Sequence, residues 1–471
     1  MKTDRKIIHA VIGVCLLFSL LIAYLTYFEL FMKDRIINNS YNQRLNDNES
    51  GVMRGSILDR NGKVLAKSRI NGNTQERIYP YGSLYSQIIG YDSRIYGKSL
   101  LEASYNAYLS NRYDIHSILD ISGKVAGYKP SGANVSLTID HQLQTKAEKL
   151  MRNIKGAAVV MNPKTGEILA MVSKPDFNPN DSELESNWTN LVESPDSPFL
   201  PRATQGMYAP GSTFKVVTAA AAVDNGMSGM TFDDKGVVTI DGKQFHNSGG
   251  DVYGSLDIKR AMTVSCNTFF AKLGTDLGFK NLKDAALSFG LEKAVPFDLP
   301  VGKSTFPYKE MSKADMASVG IGQGKILVTP LQMAMIASSI ANDGIMMKPL
   351  LVKQVATVNG IVLHTGSPSE LYSSVSPETS ASIKDMMIDV VEHGTGKNAR
   401  IQGIQVAGKT GTAQNELTGK GKSKEHAWFI GFAPAGDPQV AVAVIAEYSG
   451  SSGGSLCAPI ARELMSEWLG L

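Results

Sequence analysis

From Ile7 to Phe28 the chain runs without a single Asp, Glu, Lys or Arg. These roughly 22 residues form about 33 Å of α-helix at 1.5 Å per residue, enough to cross the hydrocarbon core of a bilayer. The run is too long for a signal-peptide core, and no small-x-small cleavage site succeeds it. It therefore reads as a membrane span, with Tyr24, Tyr27, Phe28 and Phe31 as an interfacial aromatic cluster. Lys2, Arg5 and Lys6 precede it, so the positive-inside rule leaves a short cytoplasmic tail and puts the remaining chain outside, against a weaker pull from Lys33 and Arg35.

Beyond the span the chain is long enough for one large or two modest folded domains. The 471 residues carry a net charge of +3, and 43% of them are hydrophobic. No basic block with interleaved aromatics occurs, which argues against a nucleic-acid partner. Three cysteines cannot make a disulfide framework; Cys15 lies in the span, and Cys266 and Cys457 read as free thiols. The seven histidines are scattered without ligand spacing, so neither a metal nor another cofactor is expected.

The chemistry concentrates at Ala209-Pro210-Gly211-Ser212-Thr213-Phe214-Lys215. Pro210 and Gly211 interrupt whatever precedes them, and the alanine-rich run after them favours a helix, so Ser212 is predicted at a helix N-terminus. Unpaired N–H groups and the positive end of the dipole favour negative charge there. Lys215, three residues on, shares the face of Ser212, and a neutral lysine amine can act as base to a serine hydroxyl. Taken alone, the same spacing describes a capping serine with a surface lysine one turn on.

Two further motifs come in order: Ser265-Cys266-Asn267, at a break between two helical runs, and Lys409-Thr410-Gly411-Thr412, in a small-residue extended segment whose glycines would let a substrate backbone approach. The S-x-x-K, S-x-N and K-T-G set resembles the signature of penicillin-binding proteins and serine β-lactamases. Nearer the membrane, residues 54–66 read as two short strands around an Asn61-Gly62 turn and resemble the R-G-x-I-x-D-R-N-G-x-x-L-A motif of the class B penicillin-binding proteins. Ser99-Leu100-Leu101-Glu102 reads as a capping box opening a helix and resembles that family's G-x-S-G-L-E segment. The stretch from about Asn38 to Gly132 is too short for a glycosyltransferase domain, so glycan polymerisation is not expected.

Farther on, a strand at 135–140 and a helix at 141–151 precede two strands, 157–161 and 168–172, around a tight turn at Asn162-Pro163-Lys164-Thr165-Gly166. Residues 173–205, rich in Pro, Asn, Asp and Ser, read as a long loop, and 256–262 as a helix. Thr329 and Pro330 open an amphipathic helix after Gly320-Ile321-Gly322-Gln323-Gly324. A Gly/Lys-rich loop at 415–425, strands at 427–432 and 440–446 and a final helix at 458–468 complete the order. The resemblance implies an α+β transpeptidase fold of two subdomains, with an antiparallel five-stranded sheet flanked by helices, joined to a membrane helix and an extended pedestal. Its expected divisions are a cytoplasmic tail (1–6), a transmembrane helix (7–28), a pedestal (29–134) and a transpeptidase domain (135–471).

The resemblance also implies the reaction, a D,D-transpeptidation that cross-links peptidoglycan stem peptides and is open to acylation by β-lactams. Ser212 would attack the bond between two terminal D-alanines and Lys215 would take its proton. Ser265 would relay a proton to the departing D-alanine, and Asn267 would orient the donor. Lys409 and the hydroxyls of Thr410 and Thr412 would bind the terminal carboxylate, with Gly411 between them; the N–H groups of Ser212 and Thr412 would form the oxyanion hole. His426, in a family-like His-Ala-Trp-Phe run, reads as structural. A membrane glycosyltransferase of the SEDS type is the expected partner, through residues 7–110. The alternatives are a membrane-anchored serine β-lactamase and a non-catalytic cell-wall sensor or scaffold.

Overall fold

The computed structural model describes residues 2–32, 52–71, 74–112, 131–414 and 425–471. Helix α1 (Lys2–Tyr27) ends in a wider π-turn, Phe28–Met32. Residues Ile7–Tyr27 are long and apolar enough to cross a membrane, and none of them is buried against the protein. A helix apolar all round and covered by nothing fits a single-pass membrane anchor. The rings of Tyr27 and Phe31 lie 5.4 Å apart near its end.

Beyond it, β1 (Ile57–Leu58) and β2 (Val64–Asn71) pair antiparallel around the Asn61-Gly62 turn. The Asp59 carboxylate accepts the N–H groups of Asn61 and Lys63 at 2.8 and 2.7 Å, and Gly62 takes φ +86°. Strand β3 (Thr74–Ile78) adds to β2. On its other side β1 runs parallel to β4 (Asn134–Leu137), which pairs with β7 (Val352–Ala356) and through it β8 (Val362–Thr365). One sheet, in the order β8-β7-β4-β1-β2-β3, thus joins the membrane-proximal segment to a hairpin from far along the chain. A boundary at 134/135 falls inside β4.

The capping box expected at Ser99 does not form. Helix α2 (Leu100–Ser104) starts there, but the Ser99 side chain makes no capping bond and its hydroxyl accepts the N–H of Tyr91 instead. Glu102 is fully buried: its carboxylate accepts from Arg54 Nε and Nη2 at 2.8 and 2.6 Å, from Arg77 Nε at 2.8 Å and from the Tyr79 hydroxyl at 3.2 Å. A buried carboxylate needs such compensation, and two guanidinium groups supply it better than one exposed backbone N–H.

The larger unit opens with α3 (His141–Met151), capped by Asp140, whose carboxylate accepts the N–H groups of Gln142 and Leu143. Its central sheet holds β5 (Gly156–Met161), β6 (Ile168–Lys174), β9 (Ala407–Ala413), β10 (His426–Ala433) and β11 (Val440–Ala446), all antiparallel in the order β9-β10-β11-β5-β6. Alternate residues serve two cores: Ala157, Val159 and Met161 face one, Ala158 and Val160 the other. The second core is closed by Leu143 and Ala147 of α3 and by Leu464 and Met465 of the final helix, α9 (Cys457–Leu469). The Gly/Lys-rich loop expected at 415–425 lies, for residues 415–424, outside the described residues.

Three further expectations are corrected. Residues 181–193, read as loop, form α4 (Asp181–Glu193). The segment holds no Pro or Gly, has Asp181 and Glu183 in its first turn and places Leu184, Trp188 and Leu191 at helical spacing. The flanking prolines, Pro175, Pro179, Pro195 and Pro198, masked that pattern. At 256–262 the chain is a strand as far as Asp257, which caps α6 (Ile258–Thr263) by accepting the N–H of Arg260. Helix α8 (Pro330–Ala341) begins at Thr329, whose side chain accepts the N–H of Gln332, but it is not amphipathic: all of its residues are buried. It packs beneath the five-stranded sheet, so it needs an apolar surface on every side.

Candidate active site

Ser212 lies in a tight 3-10 turn, Gly211–Phe214, and α5 (Lys215–Asp224) begins only at Lys215. The turn is clamped from three directions. The Gly211 N–H donates to Gly322 O at 2.9 Å, the indole N–H of Trp428 donates to Ala209 O at 3.1 Å, and the Thr213 hydroxyl donates to Pro210 O at 2.6 Å. The first of these contacts explains Gly322 in the glycine run before α8. A Cβ on Gly322 would stand 1.9 Å from Gly211 O, and the residue holds φ +76°. Backbone cannot yield as a side-chain tip can, so we expect Gly322→Ala to destabilise the fold by about 3 kcal/mol or more and to slow acylation by penicillin. A thermal melt beside a penicillin-labelling time course checks both.

The second motif sits between α6 and α7 (Asn267–Ser288). Ser265 takes φ +58°, a left-handed conformation uncommon outside glycine and costly enough to need enforcement by its surroundings. Lys215, fully buried, reaches this turn: its Nζ donates to Ser265 O at 2.8 Å, to Asn267 Oδ1 at 2.7 Å and meets Ser265 Oγ at 3.2 Å. These hydrogen bonds go to the second motif and not to the Ser212 hydroxyl. Asn267 in turn donates its Nδ2 to His246 O at 3.0 Å.

The third motif is β9, the edge strand of the sheet beside the Ser212 turn. Lys409, also fully buried, donates from Nζ to Ser265 Oγ at 2.9 Å and to Thr410 O at 2.9 Å. The Thr410 hydroxyl meets that of Thr395 at 2.6 Å, and Thr412 is half-buried opposite Ala427. The glycines of this strand answer to internal packing. A Cβ on Gly411 would come within 2.9 Å of Thr213 Cγ2 and 3.0 Å of Trp428 Cβ, and one on Gly408 within 2.4 Å of the Phe429 ring. Gly411 therefore lets β9 close on the Ser212 turn, a reason different from the substrate approach read from sequence.

The electrostatics are set by burial. Desolvation pushes the Lys215 amine down to about 7, against a smaller upward pull from the Cys266 sulfur. Burial, reinforced by the charge of Lys215, also pushes Lys409 well below the ordinary lysine range. Two amines sharing one hydroxyl cannot both stay charged without strong repulsion. Ser265 Oγ can accept from a charged lysine while donating to a neutral one, so the three groups form a chain able to pass a proton.

His426 lies at the start of β10, where its Nδ1 accepts the N–H of Tyr448 at 3.1 Å and its ring meets Tyr208 edge-on at 5.6 Å. Cys266 is buried with its Sγ against Thr268 Oγ1. Sequence reasoning gives no part to Trp428, Thr395 or Asn247, which accepts the backbone N–H of Asn267 at 2.9 Å. Trp428 is visible in its motif without a role, whereas nothing in the sequence marks the other two. Among the described residues no group of His, Cys, Asp or Glu side chains could hold a metal ion.

Comparison with known proteins gives this geometry its context. Residues 156–466 match the penicillin binding protein transpeptidase domain, and residues 54–135 match the penicillin binding protein A dimerisation domain. The chain is 36% identical to the peptidoglycan D,D-transpeptidase PbpA of Mycolicibacterium smegmatis over 96% of each chain. It is 33% identical to stage V sporulation protein D of Bacillus subtilis, over 88% of this chain and 66% of that one. The structure of penicillin-binding protein A from M. tuberculosis as a ceftriaxone acyl-enzyme is 33% identical and superposes with a TM-score of 0.85, covering 89% of this chain and 99% of that one. The D,D-transpeptidase domain of an Eggerthella lenta peptidoglycan glycosyltransferase is 35% identical, with a TM-score of 0.80 over 89% and 99%. With its three motifs converging on one buried pair of lysines, and with relatives matched along nearly its whole length, the chain belongs to the penicillin-binding protein transpeptidase family.

Proposed function

We propose that the chain is a membrane-anchored peptidoglycan D,D-transpeptidase, a serine acyltransferase acting on the terminal D-Ala-D-Ala of stem peptides. The observation that carries the reading is the hydrogen-bonded series Lys215–Ser265–Lys409 beside the Ser212 turn. With Lys215 neutral, its amine takes the Ser212 proton as Oγ attacks the penultimate carbonyl. The oxyanion is held by the N–H groups of Ser212 and Thr412, each such donor contributing roughly 2.7–4 kcal/mol in related acyl transfers. As the C–N bond breaks, Ser265 hands a proton to the leaving D-alanine amine, and the acyl group remains on Ser212. An acceptor amine then attacks the ester, loses its proton to the same relay and restores the Ser212 hydroxyl.

Asn267 holds Lys215 and presents its amide to the donor peptide, which lies along the β9 edge in the manner of an added strand. Lys409, with the hydroxyls of Thr410 and Thr412, takes the terminal carboxylate. In this reading residues 29–134 are the pedestal and 135–471 the transpeptidase domain. Incubating the full-length protein with a D-Ala-D-Ala donor and an amine acceptor is expected to release D-alanine and yield an amide-linked product. Release of D-alanine with water as the only acceptor would make it a carboxypeptidase and sink the cross-linking claim.

The catalytic domain lies outside the cytoplasm in this reading, because Lys2, Arg5 and Lys6 precede the span. Labelling of intact cells by an impermeant penicillin tests it, and labelling that required lysis would reverse the orientation. Residues 7–110 are proposed to contact a SEDS-type membrane glycosyltransferase. If exchanging that whole region left co-purification unchanged, the partnership would not run through it.

A further inference from the structure

Behind the Ser265–Asn267 turn lies a buried polar network that the reaction does not itself touch. Asn247 is 4% exposed, and Asp234, Cys266 and Thr268 are fully buried. Asn247 Oδ1 accepts the N–H groups of Asn267 and Thr268 at 2.9 and 3.2 Å and lies 3.5 Å from Cys266 Sγ. Its Nδ2 donates to Asp234 Oδ2 at 2.8 Å and to Asp251 O at 2.9 Å. Asp234 accepts four hydrogen bonds in all: the others come from the Thr268 hydroxyl at 2.5 Å and the N–H groups of Gly236 and Tyr253 at 3.0 and 2.8 Å. Its carboxylate is thereby satisfied by neutral donors, and they hold its pKa low in spite of burial.

This arrangement does for α7 what a local capping side chain does for an ordinary helix. The first N–H groups of α7 have no intrahelical acceptor: Cys266 Sγ takes that of Phe269 at 3.5 Å, and the acceptor for those of Asn267 and Thr268 is imported from a separate loop. The Asn247 amide has one usable orientation: turning it over would put its NH2 against two N–H donors and its oxygen against a carboxylate and a carbonyl. Asp234 thus fixes Asn247, and Asn247 fixes the backbone of Asn267, whose side chain holds Lys215. The same turn carries Ser265 in its left-handed conformation, which something outside the turn must impose.

We propose that Asn247 and Asp234 are positioning residues for acylation, setting from behind the places of Ser265 and Asn267 against Lys215. The proposal rests on the functional reading above and deepens it. Removing Asn247 lets the turn relax, so Asn267 Oδ1 withdraws from Lys215. An acceptor on a lysine favours its charged form, and losing one lowers the pKa further. The charged and titratable groups facing Lys215 are Lys409 from β9 and Cys266 from the turn; the substitution leaves both residues in place and takes from Cys266 Sγ only its Asn247 Oδ1 acceptor at 3.5 Å.

The test measures acylation of the full-length chain in detergent by benzylpenicillin as a function of pH, normalised to folded protein by a thermal melt. Acylation of the unsubstituted chain tests the functional reading; the ratio of variant to unsubstituted chain tests this proposal. Asn247→Ala is expected to lower the limiting acylation rate by about 10- to 100-fold, the scale of loss when a remote change misplaces a reacting group by about 1 Å. It should also move the acid limb of the pH profile to lower pH. A loss of folded yield with rate and limb unchanged per folded molecule would overturn it. Should Asn247→Ala not fold, the near-isosteric Asp234→Asn, which sets an NH2 against two of the four donors that Asp234 accepts and so loosens the hold on Asn247, is read by the same two criteria. A limb that stays in place there would equally end the proposal.

Discussion

Replacing Ser212 by Ala is expected to abolish covalent labelling by penicillin and to cut transpeptidation by roughly a million-fold, the scale lost when a serine nucleophile is removed from comparable enzymes. The size of the effect comes from the site's construction. Lys215, Ser265 and Lys409 exchange hydrogen bonds with one another, but only the Ser212 turn is clamped against the edge of β9, where an acyl group can be held. The fold should survive, because Ser212 is half-buried and the turn is held by Gly211, Thr213 and Ala209. Intact-mass measurement after exposure to penicillin, beside a thermal melt, separates loss of chemistry from loss of structure. Residual labelling elsewhere on the chain would show that another residue is the nucleophile.

The second large effect concerns Lys215. Burial brings its amine to about 7, so near neutral pH an appreciable share of molecules carries it uncharged. In the proposed mechanism the neutral amine is the base, so the acylation rate should rise with pH through about 7 and level off above it; the protonated form below has no lone pair for the Ser212 proton. Lys215→Arg keeps a donor for Ser265 and Asn267 but stays charged at any accessible pH. It is expected to lose about 100- to 10,000-fold in acylation rate, the range attributed to a positioned general base, and to lose the rise with pH as well. An arginine variant that kept the rise would assign that titration to another group. Lys409→Ala should also slow acylation, even by a donor without a terminal carboxylate, because it removes the second amine from the Ser265 hydroxyl.

Much of this is legible in the sequence because the chemistry is local. Pro210, Gly211 and the alanine row mark the start of α5, and the small-residue strand around Lys409 and the turn at Ser265 carry recognisable patterns. The sheet order comes from the resemblance, and apolar strands such as Val440–Ala446 stand out because both faces are covered. The hidden part is non-local. Glu102 looks like a capping residue because its partners, Arg54 and Arg77, lie a strand or more away in sequence. Helix α4 is lost among prolines that flank it without entering it. The glycines at 320 and 322 can be assigned to a structural run but not to their contacts, since those with Gly274 and Gly211 exist only after folding. Asn247 belongs to the same class: an unremarkable loop residue becomes the cap of a distant helix.

The most direct measurement is the intact mass of the full-length protein, tracked over time with benzylpenicillin beside the Ser212→Ala variant. A transpeptidase that excludes water from its ester should gain the mass of one penicillin, retain it for many minutes, and show no gain in the variant. Rapid return to the free mass while penicillin is consumed would contradict the account and make the chain a β-lactamase.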